Sequence, residues 1–360
     1  NGKLNQVEWP ERLETIFAYG EYCLPSWRYY YRLDDVHFRS PDEERPVRVT
    51  TVVKTQKTPR IIAIEPTGMQ YIQQGLMEKA VIYIETHKVL GAVIGFTDQR
   101  PNQELAAEGS LYGFLATLDL SEASDRVSYQ HVWDLLHGFP LLREAIFACR
   151  SLRAEVPAHY YHDRQVVELS KFASMGSALT FPLEAMVFTT VIAIALNRAR
   201  IAEHGPEAAA QAGEFHTLLD GVRIYGDDII VPVDHVTTVI STLESFGFKV
   251  NAGKSFWKGK FRESCGKEYY DGTDVSISRV STKFPVSRRD VQEIVSTVSL
   301  RNRMWLSGYY ETCAYLDSII EKVLDLYPVV GPDSPVLGRL SFDDLTIDRY
   351  DHKIQRPLVR

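Results

Sequence analysis

RIYGDDIIVP, running from Arg223 to Pro232, sets two aspartates side by side in an apolar frame. Val222, Ile224 and Tyr225 precede the pair, and Ile229, Ile230 and Val231 follow it. β-Branched and aromatic residues around a Gly-Asp pair predict strand, tight turn, strand. Gly226 breaks the run and Pro232 ends it. An ordinary hairpin with solvated carboxylates fits this pattern, and so does a metal site whose acids are held on a rigid turn. The surrounding sequence has to separate the two.

Upstream, GFLATLDLSEASDRVS begins at Gly113. Phe114 to Leu120 predicts a buried strand, with Asp119 near its end. Ser121 has the character of an N-cap, and a helix is expected from there through Leu136, with Asp125 in its first two turns. A helix near 140–153 and polar strands near 155–170 follow. SMGSALTFP then leads into a long helix expected from about Pro182 to Glu203, since proline is tolerated in a first turn. Downstream of the hairpin, Val236, Val239, Ile240, Leu243 and Phe246 mark an amphipathic helix stopped by Gly247. A short strand FKV, a loop NAGKSF and a second hairpin with its turn at Asp271-Gly272 come next.

Nearer the start, residues 1–45 are aromatic and then acidic, an incomplete element followed by a loop. Val47–Val53 predicts a strand, KTQKTPR a basic loop, Ile61–Ile64 an apolar run, and 68–94 one or two helices. From about Ser287 the chain is expected to be helical up to Tyr327. Antiparallel strands with helices on one face make an α+β layer.

Bulk properties narrow the function. With 360 residues, 45% of them hydrophobic, the chain can bury a large core. Its longest apolar helix candidate, Ala185 to Leu196, falls short of the roughly 18 residues a membrane span needs, so a buried helix and no membrane partner are expected. The four cysteines, Cys23, Cys149, Cys265 and Cys313, are scattered and fit free thiols in a reducing compartment. A net charge of −7 argues against a uniformly basic nucleic-acid binder. Yet Lys249 to Arg303 carries 12 Lys and Arg against 6 Asp and Glu, and such a stretch reads either as a phosphate footprint or as a solvated face. The aromatics Trp305, Tyr309 and Tyr310 fit stacking on nucleic acid, but aromatics in a helix are more often core. The first residue is Asn1, which suggests a fragment or a processed chain.

Asp119, Asp227 and Asp228 all fall at predicted strand ends, where one sheet can gather them. Three carboxylates at one point repel unless cations are present, and an oxygen-rich site suits Mg²⁺ or Mn²⁺. Two such ions, on the order of 4 Å apart, clamp the attacking and leaving oxygens of a phosphoryl transfer.

In this order, DLSEASD, SMGSALTF and the YGDD hairpin resemble the palm of viral RNA-dependent RNA polymerases. The block GFKVNAGKSFWKGKFRESCGKEYYDGTDV, together with KTPRIIAIEPTGMQYIQQGL, resembles the replicase catalytic subunit of levivirus-type RNA bacteriophages. The resemblance runs from about Thr50 to Val280. It implies an α+β right-hand polymerase with fingers, palm and a small thumb, its antiparallel palm sheet backed by helices. The implied division is 1–111 for the N-terminal segment and fingers, 112–135 palm, 136–170 a fingers insertion, 171–280 palm and 281–360 thumb.

The implied activity is RNA-templated RNA synthesis from ribonucleoside triphosphates with two Mg²⁺ ions, replaceable by Mn²⁺. Residue by residue, Asp119 and Asp227 match the main metal ligands, with Asp228 beside them. Asp125 and Ser174 match the pair that inspects the ribose, and Gly176 matches the flexible point of its loop. Lys54, Lys57 and Arg60 match cations that grip the triphosphate, where Arg supplies a fork and Lys a point charge. Lys254 matches a general acid for pyrophosphate, and Phe261 to Tyr270 a support for the primer. Family members replicate positive-strand phage RNA in the cytoplasm of an infected bacterium, with host translation factors and a ribosomal protein.

The chain departs from the family in reading Met175-Gly176-Ser177-Ala178 where Met-Gly-Asn-Gly is usual, and much of the family's N-terminal region is expected to be missing from it. Two other readings share these features. A reverse transcriptase shares the palm but normally carries a bulky residue near the ribose, where this chain has polar SEASD. A non-catalytic RNA-binding remnant is opposed by the intact acids.

Overall fold

The structure is a computed structural model and describes residues 8–53, 59–158, 160, 163, 165–280, 282–341, 349–353 and 356–358. The chain divides into two units, Asn1–Thr51 with Ile61–Ser276, and Val52–Arg60 with Ile277–Arg360.

The first unit is built on a three-stranded antiparallel sheet. Asp228–Pro232 is the middle strand, flanked by Leu115–Leu118 and Arg223–Tyr225. Ile229 pairs with Leu118 on one side and with Ile224 on the other. Leu115, Ala116, Thr117 and Leu118 are all buried, so this strand is covered on both faces. The Arg100–Tyr112 helix packs on it, with Ala106 clustered against Leu115 and Ile230, while Ala116 and Leu118 belong to the core to which the Thr180–His204 helix adds Leu183, Val187, Phe188, Val191, Ile192 and Leu196. The Val236–Ser245 helix packs on the same long helix and adds Val236, Val239 and Leu243 to one continuous core. Burying a side chain of this kind contributes roughly 1.5–3 kcal/mol, so the long helix is fixed mainly by its packing.

The long helix exceeds the expected core segment at both ends. With 25 residues it is long and apolar enough to cross a membrane by composition, but 67% of its most apolar window is buried inside the fold. Thr189 and Thr190 return their hydroxyls to the carbonyls of Ala185 and Met186, which satisfies them within the helix.

Three local expectations are corrected. The helix after Asp119 is not continuous from Ser121. Leu120–Ser121 pairs as a short strand with Lys249–Val250, and Glu122 adopts a left-handed φ of 55°. A short helix, Ala123–Arg126, then stops before a second, Tyr129–Leu135, whose N-cap is Ser128. Ser128 accepts from the His131 N–H at 3.1 Å, and the His131 ring accepts from the Ser128 N–H at 3.2 Å. Ser121 is drawn into strand pairing, which takes it away from a cap.

The second correction concerns residues 261–274. They form a three-stranded meander, Phe261–Ser264, Lys267–Tyr270 and Thr273–Asp274, and not one hairpin. The additional turn lies at Cys265-Gly266, both with positive φ. A cysteine there hides a turn signal that Asn or Asp would have shown.

Elsewhere Val47–Val53 is a strand as expected, paired in parallel with Arg153–Val156 in a four-stranded sheet whose edges are Pro59–Ile64 and Gln165–Glu168. Residues 67–93 hold the helices Thr67–Thr86 and Leu90–Val93.

In the second unit, the helices Val291–Leu306 and Tyr310–Glu321 pack around Val298, Ile320 and Tyr327 and share an Arg301–Asp317 ion pair at 3.0 Å. Tyr309 and Tyr310 flank the turn after Gly308 and are 60% and 65% exposed, which corrects their core reading. They sit outside the face that the two helices bury in each other.

Candidate active site

The acid hairpin is tight because its loop has two residues. Tyr225 pairs with Asp228, leaving Gly226 and Asp227 at the tip. Gly226 has a φ of 62°, and a Cβ there would stand 2.2 Å from the Phe181 ring. Glycine is therefore required twice over, by conformation and by the closeness of the long helix's first turn. Extending the register of Ile229 with Leu118 by one residue sets Asp228 opposite Asp119. Sheet geometry thus brings the three acids to one end of the sheet.

They do not share one environment. Asp227 is exposed at the tip and Asp119 is half-buried. The Asn251 amide donates to the Asp119 carboxylate at 2.9 Å, and the Asp119 N–H donates to Ser255 Oγ at 3.1 Å. Asp228 leans the other way, toward the meander turn, with its carboxylate 3.5 Å from Ser264 Oγ and accepting from the Cys265 N–H. Burial first, then the charges of Asp227, Asp119 and Glu263, push its carboxyl up to about 6. Cys265 is buried there with its thiol pushed up to about 12, chiefly by burial, so it is packed and unreactive.

A fourth acid escaped the sequence reading. Glu184, in the first turns of the long helix, is 6% exposed, and among the described residues its Oε2 has no hydrogen-bond partner. Burial, then the negative charges of Asp227 and Asp125, push it up to about 8. Its signal was present in TFPLEAMVF, where one glutamate interrupts an apolar helix face. Asn251 and Lys171 were also missed. Lys171 grips Asp125 in an ion pair of 2.5 Å.

No group of three or more His, Cys, Asp or Glu among the described residues stands ready-made to hold a metal. The donor chemistry nevertheless fits a hard cation: the acids offer oxygen alone, and burial, then like charge, raises two of them.

Lys254 is exposed in the turn from Asn251 to Ser255, the same turn that bonds Asp119 at both its ends. Ser174 is buried, and its carbonyl accepts from the Thr180 hydroxyl at 3.0 Å and from the Ser177 N–H at 3.1 Å. Gly176 has a φ of 130°, and a Cβ there would lie 2.1 Å from the Ala63 carbonyl oxygen. A close backbone approach, with Ala63 N–H donating to Met175 O at 2.8 Å, is the steric reason for glycine in this loop. Arg60 is exposed on the Pro59–Ile64 strand. Lys54 and Lys57 lie outside the described residues.

Residues 34–304 match the family model for the RNA replicase beta-chain. The RNA-directed RNA polymerase beta chain of Enterobacteria phage fr is 36% identical over 258 residues, covering 71% of this chain and 40% of that protein. The corresponding beta chain of Escherichia phage MS2 is 34% identical, covering 74% and 43%. The chain therefore spans less than half the length of these relatives. A chain of a solved RdRp complex superposes with a TM-score of 0.50 at 13% identity, over 77% of this chain and 25% of that one, and so shares the fold. On the match from residue 34 to 304 and on these identities, the chain belongs to the RNA replicase beta-chain family.

Proposed function

We propose that this chain carries the catalytic centre of an RNA-directed RNA polymerase that replicates a positive-strand phage RNA. The observation that carries the reading is the register that pairs Leu118 with Ile229, next to Asp119 and Asp228, and leaves Asp227 exposed at the turn. In right-hand terms, 112–135 and 171–280 form the palm, 1–111 and 136–170 the N-terminal segment and fingers, and 281–360 the thumb. The substrates are a primed RNA template and ribonucleoside triphosphates.

Asp119 and Asp227 would hold divalent cations, with Asp228 beside them. Two Mg²⁺ ions, or Mn²⁺ in their place, would supply charge stabilisation to the attacking and departing oxygens. This chain's own residues do the positioning. Arg60, with Lys54 and Lys57, binds the triphosphate. Asp125 and Ser174 accept or donate to the ribose hydroxyls, and Gly176 lets their loop lie against Ala63. The exposed ammonium of Lys254 reaches the pyrophosphate side and offers it a proton. The Phe261–Tyr270 hairpin supports the primer end. A 3′-hydroxyl attacks the α-phosphate and pyrophosphate leaves, with catalysis resting largely on orientation and electrostatics. By family membership the work takes place in the cytoplasm of an infected bacterium, alongside host translation factors and a ribosomal protein.

The test is to incubate the purified chain with a primed RNA template, Mg²⁺ and triphosphates. Addition of the templated ribonucleotide supports the reading. Preferred addition of deoxynucleotides would assign the chain to reverse transcription instead, and RNA binding with no extension would leave a binding module.

A further inference from the structure

Gln73 lies in the Thr67–Thr86 helix and is 1% exposed. A primary amide so deeply buried costs stability unless its donors and acceptor are used. Here they are used, and all of them point away from its own helix. Nε2 donates to the Cys149 carbonyl oxygen at 2.7 Å. Oε1 accepts the Ser177 hydroxyl at 3.0 Å and the Ala178 N–H at 3.3 Å. A further hydrogen bond from Gln73 favours the ionised form of Glu65, whose carboxyl burial otherwise pushes up. One side chain thereby ties the loop at Ser177-Ala178 to the end of the Pro140–Ala148 helix and to the residue after the Pro59–Ile64 strand.

The loop needs such a tie. Residues 174–178 form no sheet ladder, apart from an isolated bridge between Met175 and Ser177. Their backbone is held by the Ala63–Met175 bond and by the bond from Ser177 N–H to Ser174 O. The Ser177 side chain, 8% exposed, spends its hydroxyl inward on Gln73 and is not offered to a nucleotide. Asp125 is held toward the same segment by Lys171, three residues before Ser174.

We infer that Gln73 is a positioning residue for sugar selection: its amide fixes the Ser174–Ala178 loop so that the ribose-reading groups are preformed. The inference rests on the polymerase reading above. Gln73 touches no substrate; it acts through Ser177 and Ala178. Preorganisation of this kind lowers the ordering cost for the sugar that fits, and does so more than for the sugar that lacks the hydroxyl.

The experiment measures equilibrium binding of a templated ribonucleoside triphosphate and its 2′-deoxy analogue to the chain on primed RNA. Ca²⁺ replaces Mg²⁺, so that binding is read without turnover. Gln73→Met keeps the volume and removes the hydrogen bonds; Gln73→Glu keeps acceptor oxygens for Ser177 and Ala178. The ribo-to-deoxy affinity ratio should fall about 10-fold in Gln73→Met, the scale of one or two hydrogen bonds, with deoxy affinity nearly unchanged. Gln73→Glu should retain most of the ratio even though a buried carboxylate lowers its melting temperature. A merely structural role predicts the reverse order, with both affinities following stability, and an unchanged ratio in Gln73→Met overturns the inference. Should Gln73→Met fail to fold, Ser177→Ala removes the same link from the other side, and a ratio equal to that of the unaltered chain overturns it equally. A lack of ribose preference in the unaltered chain would instead sink the polymerase reading, and this inference with it.

Discussion

The acid hairpin and the Ser174–Ala178 loop are held in opposite ways. The hairpin is held by backbone: Asp228 pairs with Tyr225 and Ile229 with Leu118, so the sheet ladder sets where the carboxylates go. The loop is held by side chains and isolated bonds, from Gln73 more than a hundred residues upstream and from Ala63. Each relies on a glycine at a close approach. At Gly226 the obstacle is the Phe181 ring; at Gly176 it is the Ala63 carbonyl. A ring on a long side chain can turn aside, whereas a backbone carbonyl in a sheet cannot. The site is thus rigid by two mechanisms of different tolerance.

That difference yields the largest expected effect. Gly176→Ala should cost several kcal/mol or reduce incorporation by 100-fold or more, because its Cβ would lie 2.1 Å from a fixed carbonyl. Gly226→Ala should also be damaging, but pairing it with Phe181→Ala should recover part of the loss in melting temperature. A second-site change at Ala63 should recover nothing for Gly176→Ala. Equal rescue at both glycines would erase the contrast.

Smaller, and confined to the acid side, is the effect of Glu184. Below its ordinary value of 4.5 this carboxyl is protonated in both folded and unfolded chains, so no penalty exists. Between 4.5 and about 8 the unfolded chain ionises while the folded one keeps its proton. Stability should therefore fall as pH rises through this window, by on the order of 2–4 kcal/mol. Glu184→Gln should flatten that fall in divalent-free buffer. Chemical denaturation from pH 5 to 8 checks it, and parallel curves for the two proteins would show that Glu184 is not held neutral.

The smallest effect sharpens the hairpin side. Asn251→Ala removes the amide that orients Asp119, at a bond of 2.9 Å. Single-nucleotide incorporation should slow roughly 10-fold, the scale of one hydrogen bond to a charged group, with the melting temperature little changed. An unaltered rate would mean that the strand alone aims Asp119.

The same contrast explains what was legible in the sequence. The hairpin, the strand before Asp119 and the amphipathic helix ended by Gly247 were readable because local pattern dictates them: alternation, a Gly-Asp turn, a 3.6-residue period. The break in the helix after Asp119 was not, because Ser121 and Ser128 look alike as caps, and pairing with Lys249–Val250 chose between them. Nor was the turn at Cys265-Gly266, where the left-handed φ of Cys265 is imposed by a meander that folds back to reach Asp228. Glu184, Asn251, Lys171 and Gln73 stayed hidden for a related reason. Each matters through a partner far away in sequence, and residue type alone does not name a distant partner.

The central claim is that the exposed acid at the turn works with Asp119 in templated nucleotidyl transfer. Single-turnover incorporation of one labelled ribonucleotide on a primed RNA template tests it most directly, comparing the unaltered chain with Asp119→Asn and Asp227→Asn. The unaltered chain should add the templated nucleotide, and each variant should lose roughly 1,000-fold or more in rate at an unchanged melting temperature, since metal-assisted charge stabilisation supplies several kcal/mol. Near-normal incorporation by folded Asp227→Asn would contradict it.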